Sequence, residues 1–96
     1  MRRTLAAAIG LASLAAAGVA AAEPPAGAAA CSGCHPASTR VTSPVPRLAG
    51  LDRAAIVRAM EDFRTGTRPA TVMDRIAKGF TDAEIQAIAA WYATQR

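Results

Sequence analysis

The chain has one histidine and two cysteines, and the cysteines lie only three positions apart. A bridge between Cys31 and Cys34 would close a tiny loop and tie no distant elements together, so a disulfide cannot staple this domain. With no second histidine and no third cysteine, a zinc site would have to complete its four-coordination from carboxylates. No run of useful length alternates polar and apolar residues, which argues against a sheet. There is no internal repeat, and no convincing set of general acid, base and nucleophile. At 96 residues the chain is too short for a two-domain enzyme.

Hydrophobic residues are plentiful, at 52%, but 16 of the first 22 residues are apolar and the rest has the apolar share of an ordinary soluble domain. Met1-Arg2-Arg3 is a positive start, Leu5 to Val19 an apolar stretch, and Ala20-Ala21-Ala22 the small residues a signal peptidase needs. The expected organisation is a signal peptide over residues 1–22, cut before Glu23, and a single domain over residues 23–96 in the periplasm. An uncleaved anchor is the alternative, but the run is short and mostly alanine, a weak driver of insertion. No membrane span is expected after cleavage. Loss of Arg2 and Arg3 lowers the formal charge from +4 to +2, which removes the main support for nucleic-acid binding.

The remainder reads as helical. Pro24, Pro25 and Gly27 mark an irregular lead-in, and Ala28-Ala29-Ala30 favours a short helix running into Cys31. Three prolines between Pro36 and Gly50 (Pro36, Pro44, Pro46) predict an extended loop, which in so small a domain needs something to wrap around. From Asp52 to Arg64, Ile56, Ala59, Met60 and Phe63 share one helical stripe that Thr65-Gly66 ends. A short helix is expected over Thr71 to Lys78, closed by Gly79 as a left-handed cap. Thr81-Asp82-Ala83-Glu84 forms a capping box, and Ile85, Ile88, Ala89 and Tyr92 continue its helix to Gln95. The fold class is therefore all-α. A single apolar core of this size leaves little stability, so a staple other than a disulfide is required.

Cys31-Ser32-Gly33-Cys34-His35 matches the attachment pattern of a c-type haem. Each thiol adds across one porphyrin vinyl group to form a thioether, and His35 then lies under the iron as proximal ligand. Gly33 keeps the linker free of bulk. One covalent haem c, largely apolar, would also supply the missing core. The rival readings are a zinc site, a thioredoxin-type dithiol, which normally accompanies a βαβ pattern absent here, and a chance match. The second axial ligand has to be methionine, because His35 is the sole histidine and Met1 leaves with the signal. Met60 sits within a regular apolar stripe, where packing is the default role. Met73 shares a stripe with Ile76, Ala77 and Phe80, but it follows the breaker Arg68-Pro69, where backbone can be shaped to present a thioether. Periodicity favours Met73 and leaves Met60 open.

The motif near the mature N-terminus, a methionine 38 residues after the histidine, and a capped final helix ending in Trp91-Tyr92 resemble the class I cytochromes c. The order of parts differs from the four-helix cytochromes c′, whose motif lies in the last helix. Arg68-Pro-Ala-Thr-Val-Met73-Asp-Arg-Ile-Ala-Lys-Gly-Phe80-Thr81 is similar to the methionine segment in the cytochrome subunit of flavocytochrome c sulfide dehydrogenase. The likeness runs from about Ala29 to Gln95 and implies three to four helices wrapped around one haem. It implies His35 and Met73 as axial ligands, and Pro44 as the residue whose carbonyl accepts the His35 Nδ1–H, with Pro46 as rival. It implies a periplasmic one-electron carrier, not itself an enzyme, with redox proteins such as a terminal oxidase or reductase as partners. The alternative is the haem subunit of a sulfide-oxidising complex, fed by a flavoprotein.

The chain departs from that family at three places: Pro36 and Ser43 stand where glycines are usual, and Gly27 where a large residue often is. Gly27 leaves the packing of the first helix against Tyr92 open. The arginines and Lys78 between motif and last helix are a solvated surface, some of which can ring a haem edge; Arg47 is the candidate partner of a propionate. Propionates would cut the net charge towards zero, against strong global steering of partners.

Overall fold

A computed structural model describes residues 23–96, together with the isolated positions 10, 12, 13 and 15. The expected signal peptide, residues 1–22, lies outside the described residues apart from those positions. The described chain has four helices and no strand: α1 (Ala28–Cys31), α2 (Arg53–Thr65), α3 (Met73–Ala77) and α4 (Asp82–Thr94). The all-α expectation holds, and Pro36 to Gly50 forms no regular element.

Local chemistry sets most of the boundaries. Asp52 caps α2, its Oδ2 accepting from the Ala55 N–H at 3.1 Å, and Gly66 ends it at φ 80°. The capping box of α4 is reciprocal: Thr81 Oγ1 accepts from the Glu84 N–H at 3.2 Å, and Glu84 Oε1 accepts from the Thr81 N–H at 3.1 Å. Asp82 and Glu84 also place negative charge at the positive end of the helix dipole. Arg64 Nη2 pairs with Asp82 Oδ1 at 2.6 Å and ties the end of α2 to the start of α4; both groups are too exposed for the pair to add more than about 1 kcal/mol.

α3 is shorter than the expected Thr71–Lys78 helix, and Gly79 is not a left-handed cap. Lys78 is right-handed at the C-cap, and the N–H groups of Gly79 and Phe80 donate to Ile76 and Ala77 at 3.0 and 3.4 Å. Two successive i→i+3 turns satisfy the last carbonyls instead and carry the chain straight to Phe80 and the Thr81 cap.

α2 packs against both α3 and α4. The core joins Ala28, Ile56, Ile88, Ala89 and Tyr92, with Cys31, Leu48, Val57, Phe80 and Trp91 packed around them. Among the described residues no large side chain is fully buried. Gly27 answers the question it raised. It sits at φ 87°, and a Cβ there would lie 2.5 Å from Phe80 Cε1 and 3.4 Å from Ile88 Cδ1. The volume a large residue would take at position 27 is filled from the other side by Phe80, and α1 settles on α4 through fully buried Ala28.

Thr81→Ala removes half the capping box and is expected to lower stability by about 1 kcal/mol, seen as a fall in Tm of the purified protein; an unchanged Tm would show that the box does not stabilise α4. Gly27→Ala is strained by both φ and Phe80 and should destabilise by more than about 1 kcal/mol. Phe80→Leu in the same chain should relieve the steric part alone, which a comparison of the two melting curves reads directly.

Candidate haem-attachment site

The motif continues α1 as a tightening turn. The N–H groups of Ser32, Gly33 and Cys34 donate at 3.2 Å to Ala29, Ala30 and Cys31, and the His35 N–H reaches Cys31 O at 2.9 Å. Cys31, Cys34 and His35 therefore stand at i, i+3 and i+4 of a helical turn, the spacing at which side chains share one side. A Cβ at Gly33 would press on Ala30 O at 3.3 Å, so the small linker residue suits this tight turn.

Both cysteines are free thiols. Cys31 is half-buried against the core and its Sγ lies 3.6 Å from Gly27 O, whereas Cys34 is exposed. Burial pushes the Cys31 thiol above its ordinary pKa.

His35 donates from Nδ1 to the carbonyl of Pro46, not Pro44. Pro44 is exposed and takes no part in holding the ring, which corrects the expectation from the family. Two contacts shape the loop this way. Ser43 Oγ accepts from the Val45 N–H at 3.1 Å and curls the backbone past Pro44. Arg47 Nε then donates to Ala37 O at 2.8 Å and draws the next stretch back beside the histidine, so that Pro46 C=O meets the ring. A carbonyl only accepts, so Nδ1 carries the proton and a neutral ring keeps its lone pair on Nε2, the nitrogen able to bind a metal.

Met73 is the first residue of α3 and half-buried; Met60 is half-buried within α2. The turn before Met73 folds back on α2, where the Arg68 N–H donates to Asp62 O at 3.1 Å and its guanidinium lies 4.9 Å above the Phe63 ring. Met73 thus stands on a separate element from the cysteines and His35, held through α2. Around these elements Val41, Leu51, Val72 and Ile76 keep 38–56% of their surface exposed, a large apolar supply in so small a domain.

The residues fit a covalent haem: two unpaired thiols on one turn, an imidazole anchored to leave Nε2 available, and apolar side chains that the protein core does not use. Among the described residues, no three His, Cys, Asp or Glu side chains gather to hold a metal ion, so a zinc site finds no ligand set. No helix among them is long and apolar enough to cross a membrane. Sequence reasoning placed Tyr92 on the apolar stripe of α4 but missed its hydroxyl, which donates to Ala28 O at 2.6 Å and lies 3.2 Å from Ser32 Oγ. Only the unusual Gly27, which put the approach of α1 to Tyr92 in question, pointed there.

No family model matches the chain. Over 62 residues it is 40% identical to the cytochrome subunit of sulfide dehydrogenase from Chlorobaculum tepidum, a match covering 65% of this chain and 56% of that protein. It is 38% identical over 65 residues to the thiosulfate dehydrogenase electron acceptor of Stutzerimonas stutzeri, covering 66% of this chain and 30% of that protein. It is 37% identical over 65 residues to cytochrome c-552 of Acidithiobacillus ferridurans, covering 68% and 28%. The chain thus spans about half the length of the first relative and less than a third of the other two. These relatives and the helical fold support a class I c-type cytochrome that resembles the sulfide dehydrogenase cytochrome subunit.

Proposed function

We propose that residues 23–96 form a single mono-haem domain, exported to the periplasm, that carries one electron at a time between redox proteins. The observation that carries this reading is the turn from Cys31 to His35, with its histidine oriented by Pro46 so that Nε2 is free. A bound haem c supplies the Fe(III)/Fe(II) couple. Cys31 and Cys34 would hold it as thioethers, and His35 Nε2 and the Met73 sulfur would bind its iron. The Pro46 carbonyl fixes the imidazole and strengthens its donation. The soft sulfur of Met73 would favour the less charged Fe(II), and the exposed apolar side chains of Val72 and Ile76 would cover the ring and keep water from it, both of which would raise the potential. Two fixed ligands change little between oxidation states, and no general acid, base or nucleophile is needed.

A second reading makes this domain the electron-accepting haem subunit of a sulfide-oxidising complex, with a flavoprotein as donor. The likeness to a cytochrome subunit of sulfide dehydrogenase favours it. Copurification separates the two: a stable flavin-containing complex supports the subunit, whereas a lone monomer that exchanges electrons with several oxidases or reductases supports the free carrier.

Ligation is tested by substitution in protein matured with haem. His35→Ala should abolish native iron ligation even where the thioethers form. Met73→Ala should keep the haem attached, lower the potential, open a site for exogenous ligands and erase the sulfur-to-iron band of the oxidised spectrum. Met60→Ala should keep that band and lose stability, about 2 kcal/mol for a half-buried methionine. Loss of the band in Met60→Ala alone would reverse the assignment.

A further inference from the structure

From Gly66 to Val72 the chain has no regular element, yet this stretch leads straight into Met73. Gly66 turns the backbone out of α2 at φ 80°. The Arg68 N–H then reaches back to Asp62 O at 3.1 Å, in the last turn of α2, where helical carbonyls run out of intrahelical donors. The Arg68 side chain follows the same way, its guanidinium carbon 4.9 Å from the centroid of the Phe63 ring. Pro69 has a fixed φ of its own and confines the residue before it to extended backbone. Arg68 is thus held by its main chain, by its side chain and by its neighbour, and α3 opens with Met73 five positions later.

α3 has little means of fixing its own start. It is five residues long, and its N-cap, Val72, contributes no side-chain hydrogen bond. Its place is inherited from α2, against which it packs, and from the strap at Arg68. Among the described residues the one ion pair joins Arg64 to Asp82, so the Arg68 guanidinium faces the ring and no carboxylate. Phe63 is half-buried on the apolar stripe of α2, which makes the ring a firm anchor for an exposed arginine.

We propose that Arg68, stacked on Phe63, is a positioning residue for the Met73 thioether: it holds the segment before α3 against α2 and so opposes withdrawal of the sulfur from a bound haem iron. The inference rests on the haem reading with Met73 as axial ligand, and it concerns the loaded, folded protein. Withdrawal requires the segment in front of α3 to swing away from α2, and the stack has to part for that to happen. The two events are therefore linked, each opposing the other by the same factor. A cation over an aromatic face at an exposed site is worth about 0.5–1 kcal/mol, which converts to a bias of about two- to fivefold.

The test titrates the haem-loaded full chain, oxidised, with imidazole, a neutral ligand that competes with the Met73 sulfur and whose binding is read as loss of the sulfur-to-iron band. Arg68→Ala should bind imidazole about two- to fivefold more tightly than the parent. Arg68→Lys, which keeps a cation for the ring, should stay close to the parent. In a Phe63→Leu background Arg68→Ala should add little, because its partner is already gone. Arg58→Ala removes another exposed arginine, from α2, and should leave imidazole affinity unchanged. Melting curves of the same proteins are the second readout: an Arg68→Ala protein with a lower Tm but parental imidazole affinity has lost an ordinary surface contact, and overturns the proposal. Equal tightening in Arg68→Ala and Arg58→Ala overturns it too, since lost charge alone would account for both. Should Phe63→Leu yield no protein, Arg68→Ala against Arg68→Lys decides, and equal affinities there overturn it. A parent whose oxidised spectrum lacks the sulfur-to-iron band, or keeps it in Met73→Ala, overturns the ligand assignment underneath, whereas a normal parent and an Arg68→Ala protein of parental affinity overturn the positioning role alone.

Discussion

The hydrogen bond from the Tyr92 hydroxyl to Ala28 O joins the two ends of the domain, and the attachment motif hangs from that junction. α1 is barely one turn long and cannot hold itself. Ala28 lies fully buried in the same cluster as Ile88, Ala89 and Tyr92, and Phe80 closes over Gly27, where even a methyl group would collide. Residues near the start of the motif are thereby fixed by residues some sixty positions later, and a turn of small side chains becomes a rigid platform for two thiols and an imidazole.

Two devices with different physics surround that platform. The α2–α4 pair is built from local rules, with caps at Asp52 and Thr81 and apolar stripes facing inward. The loop from Pro36 to Gly50 has no such regularity and is held by separate contacts: Arg47 on Ala37, Ser43 on Val45, His35 on Pro46 and Gly50 on Tyr92. The loop gives the imidazole its orientation, and the helices give the loop a surface to lie on. Exposed Val72 and Ile76 at the methionine-bearing segment complete a domain whose apolar surface exceeds what its own small core uses.

The relatives bear on how such a platform is used. One carries the name of a cytochrome subunit of sulfide dehydrogenase and another that of a thiosulfate dehydrogenase electron acceptor, and both are longer than the stretch they share with this chain.

The amino-acid sequence by itself determined what local chemistry can decide. The spacing of Cys31, Cys34 and His35 matches the attachment pattern of a c-type haem, and the stripes and caps of α2 and α4 follow from hydrogen bonds that span three or four residues. Tertiary structure decided what depends on distant partners. Pro44 and Pro46 are equivalent in composition, and the choice between them was made by a loop curled at Ser43 and pinned at Arg47. Gly79 had the composition of a left-handed cap but lies between α3 and an α4 cap two residues on, so it takes a right-handed turn. The Tyr92 hydroxyl reaches partners 64 and 60 residues away, at Ala28 and Ser32. A stripe marks which face of a helix is buried, but only the closed fold determines which atoms that face meets.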